Sequence, residues 1–141
     1  MKKIFIITAI FLMITNVGFC FGRKKAKPTL YLANSEIGLI NSQNGKENFP
    51  WVFRKDEKIY FQILNPKGFK SDYIKYQIIK QDDNAHIGGY TRIRNITVKV
   101  KNKNNYEDYF VLSEKGKYYI QIFDIENLQQ WLAIGSFLVV E

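Results

Sequence analysis

The chain has 141 residues, 46% hydrophobic and 16% aromatic against 24% charged, which is too apolar for intrinsic disorder and enough for one hydrophobic core but not two. Its 21 Lys and Arg outnumber 13 Asp and Glu, so the formal charge is +8 and anionic partners are favoured. A single Cys and a single His exclude a disulfide framework and a zinc site built from Cys and His ligands.

Residues 1–22, MKKIFIITAIFLMITNVGFCFG, place Lys2 and Lys3 before an apolar run from Ile4 to Ile14, followed by Thr15, Asn16 and Gly18. That is the layout of a secretory signal peptide, so the protein is expected to be exported to the periplasm, the cell surface or the medium. Cleavage after Cys20 and cleavage after Gly22 both satisfy the small-residue requirement. A lipid-modified Cys20 is a third reading, against which stands Phe19 just before it. An uncleaved anchor is the fourth, because the apolar stretch approaches the length that spans ~30 Å of hydrocarbon. Residues 23–28 read as a basic tether whose Arg23, Lys24, Lys25 and Lys27 can contact anionic head groups at a membrane surface. Cys20 lies in or beside the leader, so packing alone must hold the domain of residues 29–141.

Beyond the tether the pattern is one of strands and turns. Residues 29–33 (TLYLA) open as a strand, and 34–50 read as a polar segment wandering along the first edge, with Asn41, Ser42, Asn44, Gly45 and Pro50 as turn residues. Residues 58–64 (KIYFQIL) alternate, putting Ile59, Phe61 and Ile63 on one face before the Asn65-Pro66-Lys67-Gly68 turn. Residues 73–80 (YIKYQIIK) alternate again, aligning Ile74, Tyr76 and Ile78. Two shorter, more polar strands are expected at 90–94 and 96–101, as at a sheet edge, with a turn at 102–105. Residues 108–113, 117–124 (KYYIQIFD) and 136–141 (SFLVVE) close the chain. No stretch after Gly22 carries a sustained helical period with caps. Seven to eight strands at roughly 10-residue spacing predict an all-β, antiparallel sandwich.

One local motif narrows this. Glu114-Lys115-Gly116-Lys117-Tyr118-Tyr119-Ile120 resembles the tyrosine corner of immunoglobulin-like domains, and the ending YYIQIFD with WLAIGSFLVVE resembles the last two strands of bacterial extracytoplasmic modules of that class. The resemblance implies that Gly116 permits the reversal and that the Tyr118 hydroxyl returns to the backbone. It further implies that Phe61 and Ile120 stand where antibody domains carry their inter-sheet disulfide, and that Tyr76 stands near the place of the core tryptophan.

No catalytic constellation is evident. His86 sits in a polar turn without a nucleophile motif, adjacent Asp82 and Asp83 point to opposite faces of an extended chain, and Asp82-Asp83-Asn84 lacks the spaced ligands of a calcium loop. Distant carboxylates such as Asp56 and Glu114 have nothing to link them as a glycosidase pair. No catalytic residue, metal or cofactor is expected, nor nucleic acid as a partner.

A surface reading is more productive. In the immunoglobulin arrangement, strand 73–80 (C) neighbours strand 117–124 (F). Their outward residues Tyr73, Lys75, Gln77 and Ile79 then join Lys117, Tyr119, Gln121 and Phe123, with Leu138 and Val140 of the last strand (G) beside them. Tyr73, Lys75, Lys117, Tyr119 and Phe123 are the candidate binding residues, the aromatics giving buried area and the lysines steering acidic groups. Trp51 and Trp131 are expected to plug the open ends of the sandwich. The sequence reads as a non-enzymatic binding module of the cell envelope that recognises a protein or envelope component through this face. The alternatives are a structural envelope module without a soluble ligand and, more remotely, a hydrolase.

Overall fold

Alternating apolar residues give strands, and strands with one apolar face must cover it. A computed structural model describes residues 27–43, 51–82 and 89–141. Residues 1–22, the expected leader with its Cys20, lie outside these described residues, as do Arg23, Lys24, Lys25 and His86. The elements are β1 (Thr29–Ala33), α1 (Glu36–Gln43), β2 (Val52–Arg54), β3 (Lys58–Leu64), β4 (Tyr73–Gln81), β5 (Tyr90–Lys99), β6 (Asn105–Val111), β7 (Gly116–Asp124) and β8 (Asn127–Val140). They form a three-stranded sheet, β1-β3-β6, and a five-stranded sheet, β2-β8-β7-β4-β5. The expected all-β sandwich is therefore present, with eight strands and every pairing antiparallel except β2 with β8, which is parallel.

The core lies between the two sheets and is built from the expected alternations. Ile59, Phe61 and Ile63 of β3 face Ile74, Tyr76 and Ile78 of β4 and Tyr118, Ile120 and Ile122 of β7, all of them buried. Phe61 sits at the centre of an aromatic cluster, its ring centroid 4.9 Å from that of Tyr76, 6.1 Å from Tyr106 and 6.0 Å from Phe110. At the turn into β7, the Tyr118 hydroxyl donates to the Glu114 carbonyl at 2.7 Å, and its ring stacks on Phe137. Gly116 has φ +150°, and a Cβ there would stand 2.8 Å from the Lys80 side chain. Lys80 lies against this corner because its ammonium pairs with the Glu114 carboxylate at 2.7 Å, which holds that carboxyl below its ordinary range.

Four features differ from the sequence expectation, each for a local reason. The 34–50 segment contains α1, whose start is capped by Ser35: the Gly38 amide donates to Ser35 Oγ at 3.1 Å. The helix buries Leu39 while Ile37 and Ile40 stay exposed, so no periodic apolar stripe announces it. The three-residue β2 lies where no strand is expected, because its parallel pairing with β8, rather than any run of alternating residues, holds it extended. The two short strands expected around residue 95 are one, β5, because a register shift between Ile78 and Ile79 lets the ladder continue across Ile93. Finally, β8 begins nine residues before the expected position, at Asn127, which places Trp131 on a strand with half its surface exposed rather than in a plugging loop. Trp51 is buried in the core as expected. Its ring reaches the sheet because Gly135 lacks a side chain: a Cβ there would lie 2.9 Å from both Trp51 and Leu30.

Candidate binding face

Two places in the fold gather polar and aromatic groups, and they differ in what they can do. The first is the outward face of the five-stranded sheet. Helix α1 packs on β1 and β3, so it covers the other sheet and leaves this face open among the described residues. Register fixes which side chains meet: Ile79 is opposite Tyr119, Gln77 opposite Gln121, and Lys75 opposite Phe123. Gln77 Nε2 donates to Gln121 Oε1 at 2.6 Å, tying the middle of the face. At one end, Tyr119 meets the Tyr90 ring edge-on at 5.7 Å, donates its hydroxyl to Gln81 Oε1 at 3.3 Å, and has Lys117 Nζ 5.4 Å above its ring. This is the geometry of a cation over an aromatic quadrupole.

The five residues singled out from the sequence thus divide. Lys117 and Tyr119 come together at one end. Lys75 and Tyr73 stand toward the other, about four and six residues of extended chain along β4 from Ile79, the position opposite Tyr119, at ~3.3 Å each. Phe123 is a correction: it shares this face but is only 8% exposed, so it offers little contact area. The reason is a bulge. The β7–β8 register runs from Phe123↔Trp131 directly to Asp124↔Asn127, so residues 128–130 loop out of the ladder. Leu128 joins Phe123, Lys75, Gln77 and Arg92 around a cleft of about 230 Å³, with Phe123 sequestered within it.

To Leu138 and Val140, both expected on this face, the structure adds Trp131 and Ile134 farther up β8 and Val52 of β2 beside Leu138; each of the five is between 41% and 51% exposed. The signal was available in the fourteen residues NLQQWLAIGSFLVV, which hold no charge at all. Across the same face, Arg54, Lys75, Arg92, Lys99 and Lys117 occupy outward positions, and no outward position of the five strands carries a carboxylate. None of these five cations makes an ion pair among the described residues.

The second place is a cleft of about 470 Å³ at the open side of the sandwich, between β5 and β6, lined by Ile78, Ile93, Arg94 and residues 108–112. Asp108 Oδ2 accepts the hydroxyls of Tyr76 at 3.0 Å and Tyr106 at 3.1 Å, while its Oδ1 accepts the Tyr109 amide at 2.8 Å. Arg94 Nη1 donates to the Tyr109 carbonyl at 3.4 Å, bridging the two sheet edges. Burial first, and the Asp108 carboxylate second, push Tyr76 up and raise Tyr106 to about 12. Phenols held this firmly protonated are poor bases or nucleophiles near neutral pH, and the carboxylate is committed to three donors. The cluster is a polar tie between the sheets. Among the described residues, no three His, Cys, Asp or Glu side chains come together in a way that could hold a metal ion.

The raised phenols make an alkaline prediction. A phenol whose folded value lies above its unfolded one stabilises the fold fully below pH 10.0, and that contribution is lost as pH rises through the folded value. Unfolding free energy from urea titrations should therefore fall between pH 10.0 and about 12, and Tyr106→Phe should flatten that fall. An identical slope in the variant would remove Tyr106 from the account.

No protein-family model matches the chain, and no curated protein matches it in sequence. In shape it is similar to the soluble domain of PmoD from a Methylocystis species, with 10% identity, a TM-score of 0.49, and coverage of 80% of this chain and 90% of that one. It is also similar to the CARDB domain of a Pyrococcus furiosus protein solved in complex with di-metal ions, with 16% identity, a TM-score of 0.42, and coverage of 82% and 94%. A superoxide reductase (neelaredoxin) from Ignicoccus hospitalis gives 9% identity and a TM-score of 0.41, over 82% of this chain and 81% of that one.

Proposed function

We propose that this chain is a non-enzymatic binding module of the cell envelope, exported by its leader, and that it recognises its partner through the outward face of the five-stranded sheet. One observation carries the reading: a row of exposed apolar side chains, Trp131, Ile134, Leu138 and Val140, runs down a charge-free strand on a face where, among the described residues, every charged outward strand position is positive. Exposed apolar area concentrated on one face marks contact surfaces. We further assign the sandwich to the immunoglobulin-like class. The strand order β8-β7-β4-β5 corresponds to G-F-C-C′, β1-β3-β6 to A-B-E, and the Tyr118 hydroxyl returns to the backbone four residues upstream, all of which support that assignment.

The test is a photo-cross-linker, p-benzoylphenylalanine, in place of Ser136, which is exposed in the middle of the apolar row. The full chain carrying it in its native host should give a discrete adduct on irradiation. Adding Ile134→Glu and Leu138→Glu, or Lys75→Ala and Tyr119→Ala, should remove the adduct. Ile134→Glu with Leu138→Glu, at exposed positions, should shift unfolding by no more than about 0.5 kcal/mol each, whereas Tyr119→Ala also gives up its contacts with Tyr90 and Gln81, so the first pair is the cleaner arm. No adduct from a folded protein would exclude the face as a contact surface. Loss of the thermal melt in these variants would favour a purely structural module.

A further inference from the structure

Resting on that reading of the face, we infer that its partner is the surface of an anionic lipid bilayer. The charge pattern selects among occupants. A second copy stacked face to face would set Arg54, Lys75, Arg92, Lys99 and Lys117 against their own images, with no outward carboxylate to answer them. The partner must therefore be negative. It must also accept apolar side chains that stand up from an open strand surface, whereas protein hot spots sit in well-packed pockets. A bilayer interface meets both demands at once, because phosphates lie directly above the start of the acyl chains.

Register puts the two kinds of contact side by side. Trp131 is opposite Phe123, and Phe123 opposite Lys75, so the start of the apolar ridge of β8 shares a row of the sheet with Lys75, which edges the small cleft together with Gln77 and Arg92. The ridge enters the acyl boundary, with the Trp131 indole at the level of the head groups, where that ring is favoured. Lys75 and Arg92 meet a lipid phosphate. Leu128, on the bulge above Phe123, extends the ridge. Apolar insertion combined with cationic attraction is the general mode of interfacial binding, and each added cation near an anionic membrane strengthens it roughly five-fold.

Trp131 supplies a site-specific readout, because the chain has two tryptophans and Trp51 is buried in the core. The full-length protein would be mixed with vesicles of phosphatidylcholine and about 30% phosphatidylglycerol carrying brominated acyl chains, which quench only a tryptophan at the bilayer. The expected result is strong quenching that Trp131→Phe removes, that vesicles of phosphatidylcholine alone do not give, and that salt at about 0.5 M reverses. Ile134→Glu with Leu138→Glu should abolish it. Arg92→Gln alone, at an exposed position, should weaken it about five-fold. Quenching absent, or equal on uncharged vesicles, or unchanged in the Ile134→Glu, Leu138→Glu protein would overturn the inference. A protein silent to vesicles that still yields the Ser136 adduct with another protein loses only the lipid partner; loss of both signals removes the binding role of the face.

Discussion

Phe61→Ala should lower the unfolding free energy by about 4 kcal/mol, the upper part of the range for removing a buried aromatic. Phe61 is fully buried, and its ring touches Tyr76 from the opposite sheet and Tyr106 and Phe110 from its own. Truncation removes the transfer free energy of the ring and leaves a void that three flat neighbours, each fixed by strand pairing, can only partly fill. A domain of this size holds about 5–15 kcal/mol in all, so the melting temperature should drop by about 15 °C or more. Urea titration would show a lower midpoint with an unchanged slope. A loss below about 1 kcal/mol would mean that the sheets are held together elsewhere.

Asp108→Ala should cost about 3 kcal/mol through a different mechanism. The carboxylate accepts from Tyr76, Tyr106 and the Tyr109 amide, and the Tyr76 side chain is wholly buried, so its hydroxyl has no ready access to water. Removing the acceptor strands a buried donor, which is more costly than the hydrogen bond itself is favourable. The diagnostic arm is a cycle with Tyr76→Phe. In the absence of that hydroxyl, Asp108→Ala should be markedly milder, with a coupling of about 1 kcal/mol or more. Additive effects would show that the carboxylate acts on the sandwich by some route other than the phenol.

How much of this was readable from the chain follows from how each residue is used. In β3, β4 and β7 one face is completely buried, so Ile59, Phe61 and Ile63, then Ile74, Tyr76 and Ile78, then Tyr118, Ile120 and Ile122 alternate cleanly and announce both the strands and the core. Helix α1 buries little beyond Leu39 and Ser42, which leaves no periodicity to find. The start of β8, NLQQW, has no buried residue and is interrupted by a bulge, so it resembles a loop. The same bulge explains the mixed outcome at the face. Alternation placed Lys117 and Tyr119 outward on β7 correctly, but nothing in the spacing of KYYIQIFD discloses that Phe123 is buried beside a cleft it shares with Leu128. The cation-only character of the face emerges only when five separate strands are set in register.

The parallel pairing of β2 with β8 has a mechanical consequence. Val52–Arg54 and Leu138–Val140 run in the same direction, linked by short ladders such as the Leu138 amide to the Trp51 carbonyl at 3.0 Å. If the domain were pulled through the chain leading into β2 and the chain leaving β8, the load would fall on these bonds together, in shear. An antiparallel hairpin pulled from its open end peels one rung at a time and yields at low force. Three residues of parallel pairing would thus act as a latch, resisting such traction out of proportion to their small share of equilibrium stability.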